Sequence, residues 1–203
     1  NVIVDMMNFP PEIDDSDGIY DIYIKQLQDG YYGVNCRDID GSGSTWIEID
    51  DNYIGNYETT GTDAMKITVA HEFFHAIQRV YWPGSIHQDR KFFFELSSTW
   101  IEDIVYPDIN DYITFGSGIV GGYFEDPQQN IDDCSGYDLA LYGHYLNFKF
   151  DNQIMHRIWE HLSTINNSDN TIPITTSIDS VLTNQYNSSF TQSWVDFNAR
   201  NLF

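Results

Sequence analysis

Thr68-Val-Ala-His-Glu-Phe-Phe-His-Ala-Ile-Gln78 decides how this 203-residue chain is read. Around it Met65, Ile67, Val69, Phe73, Phe74, Ile77 and Val80 recur at helical spacing over more than one face. A helix apolar nearly all round is buried between other elements. Thr62 or Asp63 can cap its start, and Pro83–Gly84 stops it after about Tyr81. Inside it His71, Glu72 and His75 form the pattern H-E-x-x-H. Histidines four apart lie one above the other, so both imidazoles reach one cation. Glu72 is turned about 100° round the helix, beside the cation and placed to take a proton from a water held there. A buried glutamate between two buried histidines is costly unless a metal offsets it.

Working outward, a second helix is expected from Lys91 to Val105, stopped by Pro107. On it Glu95, Thr99 and Glu102 share one polar stripe, while Phe92, Phe93, Leu96, Trp100, Ile101 and Ile104 cover the other faces. A catalytic zinc site takes three protein ligands and keeps one position open. Glu95, twenty residues after His75, is the candidate third ligand. Before the metal helix, Ile19–Leu27 and Thr45–Asp50 alternate apolar and polar residues as half-buried strands, with a further strand expected near Val2–Val4. Gly30 and Gly33 bracket two tyrosines as a turn, and Asp38–Ser44 is a loop. Later helices are expected at Tyr137–Phe150, Asn152–Ile165, Ile174–Gln185 and Phe190–Asn201. A sheet-rich half (1–60) followed by a helical half (61–203) is an α+β arrangement within a single domain.

Composition removes several function classes. With 41% hydrophobic and 16% aromatic residues the chain has enough apolar surface to fold. No apolar run is long enough to cross a membrane. Thirty-one acidic residues against nine basic ones give a formal net charge of −22, which repels nucleic acid and anionic lipid. Asp14-Asp15-Ser16-Asp17-Gly18 and Asp38-Ile39-Asp40-Gly41 echo calcium loops, although neither fits the EF-hand spacing. Cys36 and Cys134, 98 residues apart, are too distant for a local metal knuckle and leave a long-range disulfide or two inert thiols. His87, His156 and His161 read as structural or surface residues. The start at Asn1, without Met or leader, reads as a mature or trimmed domain.

His71–His75 with Glu95 on the following helix resembles the gluzincin metallopeptidases, of which thermolysin is the best known. In finer detail the chain is similar to a group of secreted bacterial and archaeal zincins, most without a known substrate. The similarity continues through Tyr106-Pro-Asp-Ile-Asn-Asp-Tyr112, Tyr142-Gly143, Ser193–Phe203 and the upstream Tyr31-Tyr32-Gly33. It implies a zincin-like fold and a secreted or cell-surface enzyme that cleaves proteins or peptides with one zinc and Glu72 as general base. In that setting the disulfide is the favoured state of the cysteines. An edge strand then borders the cleft and pairs with extended substrate, and Thr45–Asp50 is the candidate. Thermolysin has an aspartate four residues after the glutamate ligand, to orient a zinc histidine. Here Thr99 stands there, so Glu102 is expected to take over, with Thr99 sharing that role. Tyr142 or His144 is expected to stabilise the oxyanion. Two other readings stay open: a zincin fold that has lost catalysis and acts as a surface binding or structural domain, and a zinc hydrolase acting on a non-peptide substrate. The sequence leaves the oligomeric state unknown.

Overall fold

Three short strands come first, and the buried helix lies against them. β1 (Ile22–Lys25), β2 (Gly33–Arg37) and β3 (Thr45–Asp50) form one sheet in the order β1-β3-β2. β1 runs parallel to β3, and β2 antiparallel to it, with Gly33 opposite Ile49 and Asn35 opposite Ile47. The structure, a computed structural model, is mixed α+β and mostly helical. It describes residues 2–28, 30–39, 42–54, 58–84, 86, 88–115, 123–165 and 172–201.

Thr45–Asp50 is a strand, but it is the central one, not the edge expected to border the cleft. Its alternate residues Ile47 and Ile49 are buried against the helix that follows, and both its flanks are hydrogen-bonded. The edge beside that helix is β2, which the sequence hides. The residues of β2 opposite Ile47 and Ile49 are Asn35 and Gly33, so no apolar alternation announces it. Asn35 Nδ2 lies within bonding distance of the Tyr20 hydroxyl, Thr45 Oγ1 and the Glu72 carbonyl. A side chain at position 33 would sit 2.5 Å from Thr68 Cγ2, so only glycine allows this close approach. The expected strand at Val2–Val4 is instead a π-helical turn, Val2–Met6, in which the Met7 amide donates to the Val2 carbonyl. It drops Ile3, Met7 and Phe9 into the core, Phe9 edge-on to Phe74 at 5.0 Å.

α1 (Gly61–Tyr81) carries the H-E-x-x-H residues and is flanked by the sheet, by α2 (Gln88–Val105) and by α5 (Ile154–Thr164). That explains its apolar residues on several faces. Its last turn closes where the Trp82 amide donates to the Gln78 carbonyl, and Pro83 cannot continue it. Phe92, Phe93, Phe94, Leu96, Trp100 and Ile101 make α2 the centre of the core. A short α3 (Asp111–Phe115) follows it, then α4 (Ala140–Lys149), α6 (Ile174–Tyr186) and α7 (Phe190–Asn201). Tyr137–Leu139, expected as the start of α4, forms a separate 3-10 turn after Gly136, whose φ is 99°.

The cysteines are free, so the expected long-range disulfide does not form. Cys36 lies half-buried on β2, and Cys134 is buried in the core, its thiol 3.5 Å from the Asn130 carbonyl. Burial raises both thiols, Cys134 to about 12, which makes it inert. His156 packs edge-on against Phe9 and His161 meets the Ser177 hydroxyl, both structural settings, whereas His87 lies outside the described residues. Among the described residues no helix is long and apolar enough to cross a membrane.

Candidate metal centre

α1 and α2 lie side by side, and their polar residues meet where the two apolar surfaces part. His71 and His75 project from one face of α1, and Glu95 from the stripe on α2. Glu95 Oε2 is 3.2 Å from His71 Nε2 and 3.5 Å from His75 Nε2. Ligating atoms of all three residues lie within 4.8 Å of one another, a group that could hold a metal ion. The three expected ligands are therefore brought together.

The remaining ring nitrogens decide whether this donor set fits a cation. His71 Nδ1 is 2.6 Å from Glu102 Oε1; with Glu102 ionised it is a pure acceptor, which puts the proton on Nδ1 and turns the Nε2 lone pair to the group. Glu102 thus does the orienting. Thr99 is buried beside it, but its hydroxyl has no hydrogen-bond partner. His75 is oriented by a residue whose part the sequence does not disclose. Gln78 Oε1 lies 2.7 Å from His75 Nδ1. Gln78 Nε2 faces the Phe94 carbonyl and the Ser97 and Ser98 hydroxyls at 2.9–3.1 Å, which fixes its oxygen toward the imidazole. Both imidazoles therefore present Nε2 to the same point, with a carboxylate between them. Two nitrogens and one oxygen, from side chains that are buried or half-buried and already oriented, could hold a metal ion.

The electrostatics agree. Burial opposes a charge on His71, but its hydrogen bonds to Glu102 and Glu95 outweigh that and raise the imidazole well above its ordinary value. Burial also opposes a charge on Glu95, yet His71 and His75 hold its carboxyl far below the usual range. Burial pushes Glu102 up. This pocket of carboxylates demands positive charge at its centre, and a cation answers it as a proton does.

Glu72 and His71 line one cavity of about 260 Å³ together with Thr68, Thr99, Glu102 and Tyr137. Gly33 holds β2 over this part of α1, where an added Cβ would lie 3.1 Å from Glu72 Cγ.

Neither expected oxyanion donor reaches the group. Tyr142 is fully buried, its hydroxyl 2.7 Å from Ser193 Oγ, and its ring packs among Tyr145, Trp194 and Phe197. It faces the α4–α7 core because an aromatic ring there buries more apolar surface than the cleft offers. His144 sits against Tyr112 at 4.7 Å and Asp103 at 3.7 Å and does not line the cavity. The tyrosine at the centre is Tyr137. Its ring stacks on His71 at 5.7 Å and 8°, and Glu95 is the carboxylate that acts most on its hydroxyl. Burial and the carboxylates of Glu95, Glu72 and Glu102 keep that hydroxyl protonated. Gly136 lets it in: a Cβ there would lie 2.2 Å from the Phe92 carbonyl oxygen and 2.8 Å from Glu95 Cβ. The only signals of Gln78 and Tyr137 in the sequence are a glutamine on a buried helix and a glycine before a tyrosine.

The carboxylates of Asp14, Asp15 and Asp17 also come within 4.8 Å of one another, but on an exposed turn. They accept that turn's own amides, Ser16 and Gly18 on Asp14, Asp17 on Asp15 and Ile19 on Asp17, which closes such turns without an ion. In the second acidic loop Asp38 accepts from the Ser44 hydroxyl at 2.6 Å, while Asp40 and Gly41 lie outside the described residues.

No family model, curated protein or solved structure matches this chain in comparisons with known proteins.

Proposed function

We propose that the chain is a zinc-dependent endopeptidase of the gluzincin type, with a zincin-like arrangement of sheet and helices, acting on proteins or peptides in a secreted or cell-surface setting. The observation that carries this reading is the convergence of His71 Nε2, His75 Nε2 and Glu95 Oε2, with Glu102 and Gln78 holding the other two ring nitrogens. A zinc ion on these three atoms would supply Lewis acidity and acidify a water. Glu72, beside His71 on the cavity wall, accepts the proton of the attacking water and passes it to the departing amine nitrogen. The Tyr137 hydroxyl donates to the oxygen that gains charge in the transition state. The β2 edge, held over Glu72 by Gly33, offers an extended peptide its backbone hydrogen bonds.

The test pairs metal content with turnover on a casein or peptide-library substrate. About one zinc per chain is expected, and a chelator should remove metal and hydrolysis together. Glu72→Gln should keep the zinc and lose roughly 100-fold or more in kcat, because the ligands remain and the proton acceptor does not. Glu95→Ala should lose the zinc. Unchanged hydrolysis in metal-free protein, or in Glu72→Gln, would end this reading.

A further inference from the structure

The β2 edge of the sheet lies over the candidate metal centre, and the opposite edge, β1, has no strand beside it among the described residues. Its apolar side chains are open: Ile22 is 45% exposed, Tyr23 51% and Ile24 65%. An unpaired apolar edge is a template for another strand, and proteins ordinarily blunt it with charge. The charge on this one is Lys25, which Glu48 on β3 already holds at 2.5 Å. One hydrogen bond fixes the backbone directions. The Ile47 amide donates to the Asp21 carbonyl, so the backbone groups of Asp21, Tyr23 and Lys25 turn toward β3 and those of Ile22 and Ile24 turn outward. The side chains of Ile22 and Ile24 share the face of Ile47 and Ile49, and those of Asp21, Tyr23 and Lys25 share the other. On the first face Ile22 lines an apolar hollow of about 250 Å³ with Val2, Val69 and Phe73.

We propose that β1 pairs antiparallel with β1 of a second copy of this chain, about a two-fold axis at Tyr23, and joins the two sheets into one. The stretch Asp21-Ile-Tyr-Ile-Lys25 is complementary to its own reverse. With Tyr23 on the axis, Ile22 stands opposite Ile24 of the second copy, and Lys25 opposite Asp21 of the second copy, on both sides. The backbone agrees with this register. Ile22 and Ile24, whose groups turn outward, exchange both hydrogen bonds, and Tyr23 meets Tyr23 as a non-hydrogen-bonded pair. A slip of two residues either way loses the match, setting Lys25 against Ile19 in one case and against Tyr23 in the other. In the matched register the isoleucines of the second copy continue the apolar face beside the hollow at Ile22. The formal charge of −22 on each copy opposes association, but at about 0.15 M salt charges more than about 8 Å apart are largely screened and the Lys25–Asp21 contacts act locally. The pairing uses the edge away from β2, so it leaves the metal centre open and does not depend on the peptidase reading.

Sedimentation equilibrium of the whole chain at about 0.15 M salt and up to about 1 mM protein should show the mass rising from that of one chain toward that of two. Ile24→Pro removes an outward amide without touching the β1–β3 ladder, and should weaken association at least about tenfold. Asp21→Lys and Lys25→Asp should each do the same, because each sets like charges opposite one another on both sides of the axis. Their equimolar mixture should recover the affinity of the parent, since a pair made of one of each has an opposite charge at both contacts. Asp21→Lys also takes negative charge off every copy, so general repulsion predicts the reverse result for it. Tyr23→Cys in a Cys36→Ser background should crosslink two copies on mild oxidation, because a non-hydrogen-bonded pair brings its Cα atoms to about 4.5 Å. A single-chain mass at every concentration, association indifferent to Ile24→Pro, a mixture no tighter than its two components, or a Tyr23→Cys protein that stays uncrosslinked overturns the proposal. The mixture decides if Ile24→Pro does not fold. A single-chain mass together with binding of an alternating lysine–valine peptide, lost in Ile24→Pro, also overturns it and gives the edge to a strand of another protein.

Discussion

Tyr137 stacks on His71 beside the candidate metal ligands, while the hydroxyl of Tyr142 meets Ser193 at 2.7 Å inside the aromatic core. On the proposed peptidase reading, Tyr137→Phe should lower kcat by roughly ten- to a thousandfold with KM nearly unchanged and zinc retained, since it removes a donor to developing charge. Tyr142→Phe should leave kcat alone and cost about 1 kcal/mol of stability, one buried hydrogen bond. Steady-state kinetics and urea unfolding of the pair decide the matter: a large kcat loss in Tyr142→Phe with none in Tyr137→Phe would reverse the assignment. The two tyrosines show which residues a sequence gives away. His71, Glu72 and His75 are legible because helix geometry ties their spacing to their chemistry. Glu95 and Glu102 are legible because a polar stripe on an apolar helix requires a partner. Tyr137 follows Gly136 and Tyr142 precedes Gly143, so a neighbouring glycine does not tell them apart, and the positive φ of Gly136 becomes meaningful only once Glu95 lies 2.8 Å from its missing Cβ. Gln78 closes the stretch that decides the fold, yet nothing there shows its role. That role depends on where the Phe94 carbonyl and the Ser97 and Ser98 hydroxyls fall on another helix.

At the scale of elements, the longer helices are readable to within a few residues because apolar periodicity and prolines mark them, whereas the single-turn α3 (Asp111–Phe115) was not expected. β2 is not, since its residues facing α1 are a glycine and an asparagine. The placement of Thr45–Asp50 at the edge failed for the same reason: a strand unseen in the sequence takes that edge. Gly33→Ala tests the contact that makes β2 matter. The new methyl would meet Thr68 Cγ2 at 2.5 Å and Glu72 Cγ at 3.1 Å. It should cost about 1–3 kcal/mol in denaturant unfolding and, on the proposed reading, lower kcat by shifting Glu72. A variant as stable and active as the parent would mean that β2 does not press on α1. α4 carries a separate, pH-dependent penalty. Burial lowers His144 from 6.5 to about 4, with Asp103 and Tyr112 facing it. Between those values the unfolded chain binds a proton that the folded chain refuses. Stability is therefore full above about pH 6.5 and falls as pH drops toward 4, by roughly 3 kcal/mol at most. His144→Gln should flatten that part of the stability–pH curve. An unaltered slope would show that the imidazole titrates alike in both states.

For the whole molecule, the division into a strand-rich beginning and a helical remainder was legible from the change of period near Gly61. The packing of α4 to α7 around Tyr142 was not, because it depends on contacts some fifty residues apart, such as Tyr142 to Ser193 and Tyr145 to Asp196. With both cysteines free, no disulfide between them shortens the path to the native state. That gives the arrangement of α1 and α2 a kinetic meaning. All three candidate ligands, and both residues that orient the histidines, lie between His71 and Glu102. Joining His75 to Glu95 closes a loop of only about twenty residues, a small entropic cost. Such local contacts form early, before β2 or the distant α7 has to find its place. On the proposed reading, zinc present from the start of refolding should then raise the folding rate as well as slow unfolding. Stopped-flow measurements with and without zinc separate the two limbs, and an effect confined to unfolding would place assembly of the centre after the rate-limiting barrier.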